Sequence, residues 1–327
     1  MSPEKPKKTA VILFIDPKIA QLTQQTVEEM GHQCILVKET AEAKELLKKK
    51  AVDLLVWKIQ DRAEDFALFD YAVKVLPRLP GIAIIDESLE DYFPELLLRA
   101  YPHNLIADNH PLDYRELTST IKKLLSGDIF GMEKYGVSPT ETIHLSSSGE
   151  KYDVIEKVRD YCLDKGVQDR IVRNIELILN ELLMNAIFDA PVDGKGVKLY
   201  EHTDRGAVFD LKERERPIVQ YGINEDRLAV SVSDLFGTFR EDTFFSYVHR
   251  CFSEKSILEG VGKGAGMGLF MVFKSLNQLV INVAYNQKTE VIALIDYHSS
   301  MRELKKRRHS FHHFHLGNFN GKGELKP

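Results

Sequence analysis

Cysteine is scarce in this chain: Cys34, Cys162 and Cys251 are the only three, far apart and odd in number. That argues against a disulfide framework, and without a C-x-x-C spacing it also argues against a cysteine-built metal site. Small buried or half-buried thiols are the reading left for them. Long apolar runs are missing too. The charged start MSPEKPKK is followed by an apolar stretch only about one strand long. Neither a signal peptide nor a membrane span is therefore expected, and a reducing cytoplasm is the simplest compartment. Nor does one sign of charge dominate. A formal net charge of −5 over 327 residues gives no reason to expect nucleic acid as a partner of the whole molecule. The strongly basic stretch is local, Lys305-Lys306-Arg307-Arg308. No internal repeat is visible.

What is present is an ordinary globular balance, 43% hydrophobic and 28% charged, in a chain long enough for two domains. Residues 1–125 alternate apolar runs with helical patterns. Strands are expected at Thr9–Ile15, Cys34–Val37, Asp53–Trp57, Gly81–Ile85 and Asn104–Ala107. Helices are expected at Lys18–Met30, Ala41–Lys50, Phe66–Leu76, Leu89–Ala100 and Pro111–Leu125. Such alternation predicts an α/β, doubly wound, five-stranded parallel sheet. Residues 126–150, with Gly, Pro and the cluster Ser146-Ser147-Ser148-Gly149, read as a linker. Residues 151–299 change character. Two long helices, Tyr152–Lys165 and Asp169–Phe188, precede a charged segment, a hairpin-like pair (Ile218–Tyr221, Leu228–Ser233), a glycine-rich run, and a last hairpin at Val280–Ala284 and Val291–Ile295. Helices packed on one face of a sheet is the α+β expectation.

The order and lengths of the first half resemble the response-regulator receiver family. In that family an acidic pair after the first strand binds Mg²⁺, and an Asp ending the third strand accepts a phosphoryl group. A Thr or Ser after strand four and a Lys-Pro after strand five read the phosphate. An acceptor carboxylate needs a neighbouring cation, because phosphoryl transfer brings anions together. In this chain the acidic pair is reduced to Ile15-Asp16, and Lys58 stands where the acceptor Asp would be. Asp86 holds the Thr/Ser place, and His110-Pro111 replaces Lys-Pro. The resemblance with these losses implies a pseudo-receiver used for protein contacts. Whether Lys58 pairs with Asp16 in place of a metal or stays solvated is left open.

In the second half Glu181 and Asn185 lie four apart and face the same way on a helix. Asp234 ends the apolar strand of Val230-Ser231-Val232-Ser233-Asp234-Leu235-Phe236-Gly237. The run Gly260-Val261-Gly262-Lys263-Gly264-Ala265-Gly266-Met267-Gly268 opens a further helix. It matches neither G-x-G-x-x-G nor G-K-[ST]. Taken in order, these features resemble the GHKL ATPases, with the two-layer sandwich of that family (the Bergerat fold). Sensor-kinase catalytic domains and anti-sigma-factor serine kinases are members. The resemblance implies Mg²⁺ and ATP as cofactors, with Asn185 as the metal ligand and Glu181 as the general base. It implies that Asp234 accepts from the adenine amino group, beside Phe236 and Gly237. Gly262, Lys263, Gly264, Gly266 and Gly268 would meet the phosphates through backbone N–H groups and a helix N-terminus. Phe236 stands where the family has a glycine, and could line or fill the adenine pocket.

A phosphoacceptor helix of the sensor-kinase type is absent, since His144 lies without flanking acid or helical pattern. The implied role is partner switching in two-component-like signalling, as a serine kinase or ATPase acting on a sigma-factor-like protein or an antagonist. The alternative is a catalytically inactive scaffold that binds partners through both domains. A homodimer stays open. Residues 300–327 form a basic, His/Phe-rich tail. Its His309, His312, His313 and His315 lack an accompanying acid or Cys, so an added strand or docked tail is expected before a metal site.

Overall fold

A computed structural model describes residues 7–13, 16–49, 51–92, 95–96, 103–240, 272–298, 303 and 306–317. The chain divides into two compact units: Met1–Ile129 with Ser310–His312, and Phe130–His309 with His313–Pro327.

In the first unit the strands are β1 (Thr9–Leu13), β2 (Gln33–Val37), β3 (Leu54–Lys58), β4 (Gly81–Ile85) and β5 (Asn104–Ala107). They lie in the order β2-β1-β3-β4-β5, all parallel. Interior strands that read as near-continuous apolar runs are those of a sheet covered on both faces. Helices α1 (Pro17–Glu29), α2 (Thr40–Lys48), α3 (Arg62–Val75) and α4 (Tyr114–Ser126) supply the cover. On one face Ile12, Val56, Ile84 and Ile106 pack with Ile19 and Val27 of α1 and with Leu117 and Ile121 of α4. The strand period of two sends Trp57 to the other face, where it stacks on Phe69 of α3 at 5.2 Å. Local chemistry sets the helix starts. Asp61 accepts from Glu64 N–H, Asp113 from Arg115 and Glu116 N–H, and Asp16 from Lys18 N–H just before Pro17. Where the sequence predicts a helix over Leu89–Ala100, the described part is a 3₁₀ turn at Leu89–Tyr92 and helical residues at Glu95 and Leu96, the rest of 93–100 lying outside the described residues.

The second unit holds β6 (Glu141–His144), α5 (Lys151–Asp164), α6 (Asp169–Met184), β7 (Ile218–Ile223), β8 (Leu228–Asp234), β9 (Gln278–Ala284) and β10 (Lys288–Ile295). Their order is β9-β10-β8-β7-β6, with each of these neighbouring pairs antiparallel. Ile171, Val172, Ile175, Ile178, Leu179 and Leu182 form the buried stripe of α6, which packs against β8. The stretch read from sequence as a linker over 126–150 is structured instead. It carries a 3₁₀ turn at Met132–Tyr135 and then β6, which pairs with β7 as an edge strand and includes His144. Its turn is fixed by a buried carboxylate. Glu290 on β10, 1% exposed, accepts from Gly131 N–H at 2.9 Å, from Asn282 Nδ2 at 2.8 Å and from Ser231 Oγ at 3.4 Å.

The tail also becomes ordered, as β11 (Ser310–Leu316). Its first three residues belong to the first unit and lie antiparallel to β5, Phe311 opposite Leu105 and His312 opposite Asn104. From His313 onward the strand groups with the second unit, where Leu316 accepts from Tyr285 N–H at 3.3 Å.

Replacing Glu290 with Ala would remove the acceptor of two buried donors, on Ser231 and Asn282, and of the half-buried Gly131 N–H. Each orphaned buried group costs about 1–3 kcal/mol. With two such donors, Glu290→Ala should lower the urea midpoint by an amount equivalent to about 2–6 kcal/mol, with the second unit unfolding first; an unchanged midpoint would show that these groups are held by other contacts.

Candidate functional site

Among the described residues, each unit has a place where the residues singled out from sequence gather. In an open α/β sheet ligands bind beyond the carboxyl ends of the strands, where the strand order reverses. In the first unit that reversal falls between β1 and β3. Just past β1, Asp16 is engaged as the N-cap of α1, its Oδ1 accepting from Lys18 N–H at 2.8 Å. Lys58 ends β3 and turns to Asp108, which comes directly after β5: Nζ lies 2.9 Å from Asp108 Oδ2 and 3.9 Å from Asp86 Oδ2. Its partners are thus Asp108 and Asp86, not Asp16. The Asp108 side chain is only 8% exposed. His110, in the place of the expected Lys, donates its backbone N–H to Asp108 Oδ1 at 3.2 Å and brings Nδ1 within 3.3 Å of the same oxygen. Burial would raise the Asp108 carboxyl. The Lys58 hydrogen bond, the His110 N–H and the charges of both side chains outweigh it, and hold the carboxyl below its usual range. Asp108 carries no signal in sequence beyond being the first acid after an apolar strand.

In the second unit Glu181 and Asn185 sit half-buried at the C-terminal end of α6, with Asn180 Nδ2 3.5 Å from Glu181 Oε1. The helix does not simply continue to Phe188 as expected. Asn185–Asp189 winds into a π-helical turn, in which the Asn185 carbonyl accepts from Ala190 N–H at 2.9 Å. Such turns are rare and concentrate at functional positions. Thr238 Oγ1 then donates to the Ala190 carbonyl at 3.1 Å, so the end of the turn is tied to the segment after β8. Nothing in the sequence singles out Thr238.

That segment begins with Asp234, which is 8% exposed. Its Oδ1 accepts from Phe236 N–H at 2.8 Å and Gly237 N–H at 3.2 Å, closing a local turn. Burial raises this carboxyl to about 6, against the pull of those two N–H groups and of Thr289 across the ladder. At neutral pH it is mostly ionised and able to accept a hydrogen bond. Gly237 has φ +63°, and a Cβ there would stand 2.1 Å from the Ala284 carbonyl oxygen. Only glycine permits so close an approach to the β9–β10 turn. Phe236 is 3% exposed, with the Arg214 guanidinium 4.9 Å above its ring. Arg214 also reaches the Leu235 carbonyl at 3.2 Å and the Asn286 carbonyl at 3.4 Å. The structure thus brings the α6 end and the Asp234–Thr238 segment together. Gly262, Lys263, Gly264, Gly266 and Gly268 lie outside the described residues. Among the described residues no three His, Cys, Asp or Glu side chains gather as metal ligands, the tail histidines included.

No protein-family model matches the chain, and no curated protein does. Receiver domains are among the solved structures that it resembles. A CheY-like response-regulator receiver domain from Methanospirillum hungatei JF-1 is 23% identical over 37% of this chain and 96% of its own, with a TM-score of 0.32. A response regulator from Thermotoga maritima is 17% identical over 37% of this chain and 99% of its own, TM-score 0.32. The signal receiver domain of an HD domain-containing protein from Pseudomonas fluorescens Pf-5 is 15% identical over 37% and 97%, TM-score 0.33. The strand order of the first unit is itself that of receiver-like α/β domains. No described helix is long and apolar enough to cross a membrane.

Because the Asp108 value is depressed on folding, its stabilising effect is present above the usual aspartate range and lost as pH falls through the lowered value. Lys58→Met should cost about 2 kcal/mol, less than the 3–5 typical of breaking a fully buried pair, since Lys58 keeps some contact with water. It should also flatten the acid side of the stability–pH curve. An acid limb identical to wild type would show that the pair contributes nothing.

Proposed function

We propose that this chain is a signalling protein in which the first unit serves protein contacts without being phosphorylated, and the second binds Mg²⁺ and ATP in the manner of the GHKL family. The observation that carries the nucleotide reading is the Thr238–Ala190 hydrogen bond. It ties Ala190, just past the end of α6 that carries Glu181 and Asn185, to Thr238, four residues past Asp234, and so supports a shared site. An amide oxygen, a carboxylate base and an adenine-reading carboxylate are the three chemistries the family resemblance implies. Asn185 fits a hard oxygen ligand, and Asp234 fits an acceptor for an exocyclic amine. When bound, Mg²⁺ and ATP supply charge neutralisation and a transferable phosphoryl group. Glu181 would orient or deprotonate the attacking hydroxyl of a partner protein. A serine-bearing antagonist or a sigma-factor-like protein is the partner class. In the first unit the Lys58–Asp108 pair supports the contact-only role, because an ammonium cannot become an acyl phosphate and its charge is already met.

One observation favours a second reading, an inactive scaffold. Phe236 is buried beneath Arg214, and Asp234 Oδ1 already takes two backbone N–H groups.

The test is a thermal-shift series with Mg²⁺ plus ATP or ADP. Ligand at 100 times its dissociation constant should stabilise by about 2.7 kcal/mol. Asp234→Asn should weaken ATP and ADP alike, by about 1.5–3 kcal/mol, the worth of a charged hydrogen bond. Glu181→Gln should keep affinity within about three-fold while cutting any ATP turnover by roughly 10²–10⁴. No stabilisation by either nucleotide would leave the scaffold reading; binding without turnover would reduce the kinase to a nucleotide-gated switch.

A further inference from the structure

Residues 310–312 are separated in sequence from the rest of the first unit by nearly all of the second, yet they pair with its β5. An added antiparallel strand satisfies N–H and C=O groups that an edge strand leaves open. These three residues also bury their side chains. Ser310 Oγ accepts from Ala107 N–H at 3.0 Å, Phe311 is fully buried, and His312 is 0% exposed.

The contacts of His312 fix a proton count. Asn104 Nδ2 lies 3.4 Å from the Gly81 carbonyl, which leaves Asn104 Oδ1 facing His312 Nδ1 at 3.2 Å. Facing an acceptor, Nδ1 carries the hydrogen. On the other side of the ring Nε2 lies 2.8 Å from Glu116 Oε1. That contact requires one proton between the two atoms, on the carboxyl or on the imidazole. We propose that Ser310–His312 is a proton-held latch, a strand that closes on β5 while Glu116 and His312 share one proton and loosens when that proton is lost.

The sign of the pH dependence comes from counting protons. Free Glu and His titrate near about 4.3 and about 6.5. Between those values the undocked pair also holds one proton, so docking exchanges none. Above about 6.5 the undocked pair holds none, and docking must take one up from water. Docking therefore weakens by about tenfold per pH unit until the docked pair loses its proton too. Burial moves the docked groups in opposite directions, Glu116 up to about 8 and His312 down to about 3. The raised Glu116 value gives stability present below its free value and lost as pH rises toward about 8. The lowered His312 value gives stability present above its free value and lost as pH falls toward about 3. The alkaline window is thus about 6.5 to about 8. Lys123, 1% exposed on the same helix as Glu116, is the other charge acting on His312 and opposes the imidazolium form; Ser310 donates to Glu116 from the strand itself.

The experiment is amide hydrogen exchange on the full chain from pH 5 to 8.5, corrected for intrinsic rates. Residues 104–107 and 310–312 report the latch, and residues 54–58 report opening of the whole unit. Protection at the latch should fall about tenfold per pH unit above about 6.5; protection at residues 54–58, whose opening frees the same pair, should fall in parallel from a higher level. Glu116→Gln keeps an N–H donor for Nε2 and cannot ionise, so above about 6.5 it should remain latched with a flat profile, and below about 6.5 it should lose protection as the free imidazole takes up the proton that docking must release. His312→Ala should lower protection at 104–107 at least about tenfold at every pH, the cost of about one buried hydrogen bond. A flat wild-type profile, a Gln variant that keeps the wild-type slope, or full protection at 104–107 in the Ala variant would each overturn the proposal.

Discussion

The ammonium of Lys58 and the buried carboxylate of Asp108, 2.9 Å apart, set the character of the first unit. Strand order puts the ends of β3, β4 and β5 side by side, so any charged residue placed there must find a counter-charge within the same small volume. Two carboxylates in that space, Asp86 and Asp108, would repel each other and call for a cation. Lys58 is that cation, covalently attached to the strand that a receiver uses for its acceptor. His110 adds a backbone N–H and an imidazole to the same carboxylate. An ion pair organised this way meets most of the charge at these strand ends and holds the loops that follow them in place.

A different constraint organises the second unit: the backbone packing around Gly237. Without a side chain there, the turn after β8 lies directly on the β9–β10 turn, and Asp234 can fold back to cap it. Burial of Asp234 is the consequence, and with it the elevated carboxyl value of about 6. Thr238, one residue on, hooks the π-helical turn that ends α6. Glu290 performs a comparable task elsewhere in the unit, where a single buried carboxylate collects donors from two strands and from Gly131. In both places an acid inside an apolar layer is stable because several donors converge on it.

Much of the architecture is legible in sequence because it rests on periodicity. Runs such as Leu54–Trp57 and Gly81–Ile85 have no face to show to water, and the stripe from Ile171 to Leu182 fits one side of a helix. Lys58 at the end of β3 and Asp234 at the end of β8 are readable for the same reason, since a strand end has a definite place. Partnerships across the chain are not legible. Nothing local marks Asp108 as the partner of Lys58, 50 residues away, or Glu116 as the partner of His312, 196 residues away. The stretch around His144 reads as a linker because four residues alternating with polar side chains give too short a pattern; pairing with β7 supplies the order that the sequence alone does not. The His/Phe tail, expected as an added strand or docked tail, is a strand, and its pairing with β5 is what the sequence does not show.

The contact role proposed for the first unit rests on Lys58 taking the place of a metal ion there. Carbon-13 spectra of the aspartate carboxyl groups, recorded on the full chain during a Mg²⁺ titration, test it directly. With Lys58 holding Asp108 and facing Asp86, millimolar Mg²⁺ should leave the Asp86 and Asp108 signals where they are in wild type. Saturable shifts of both signals in the wild-type protein would mean that a cation still binds at these strand ends, and would contradict the account.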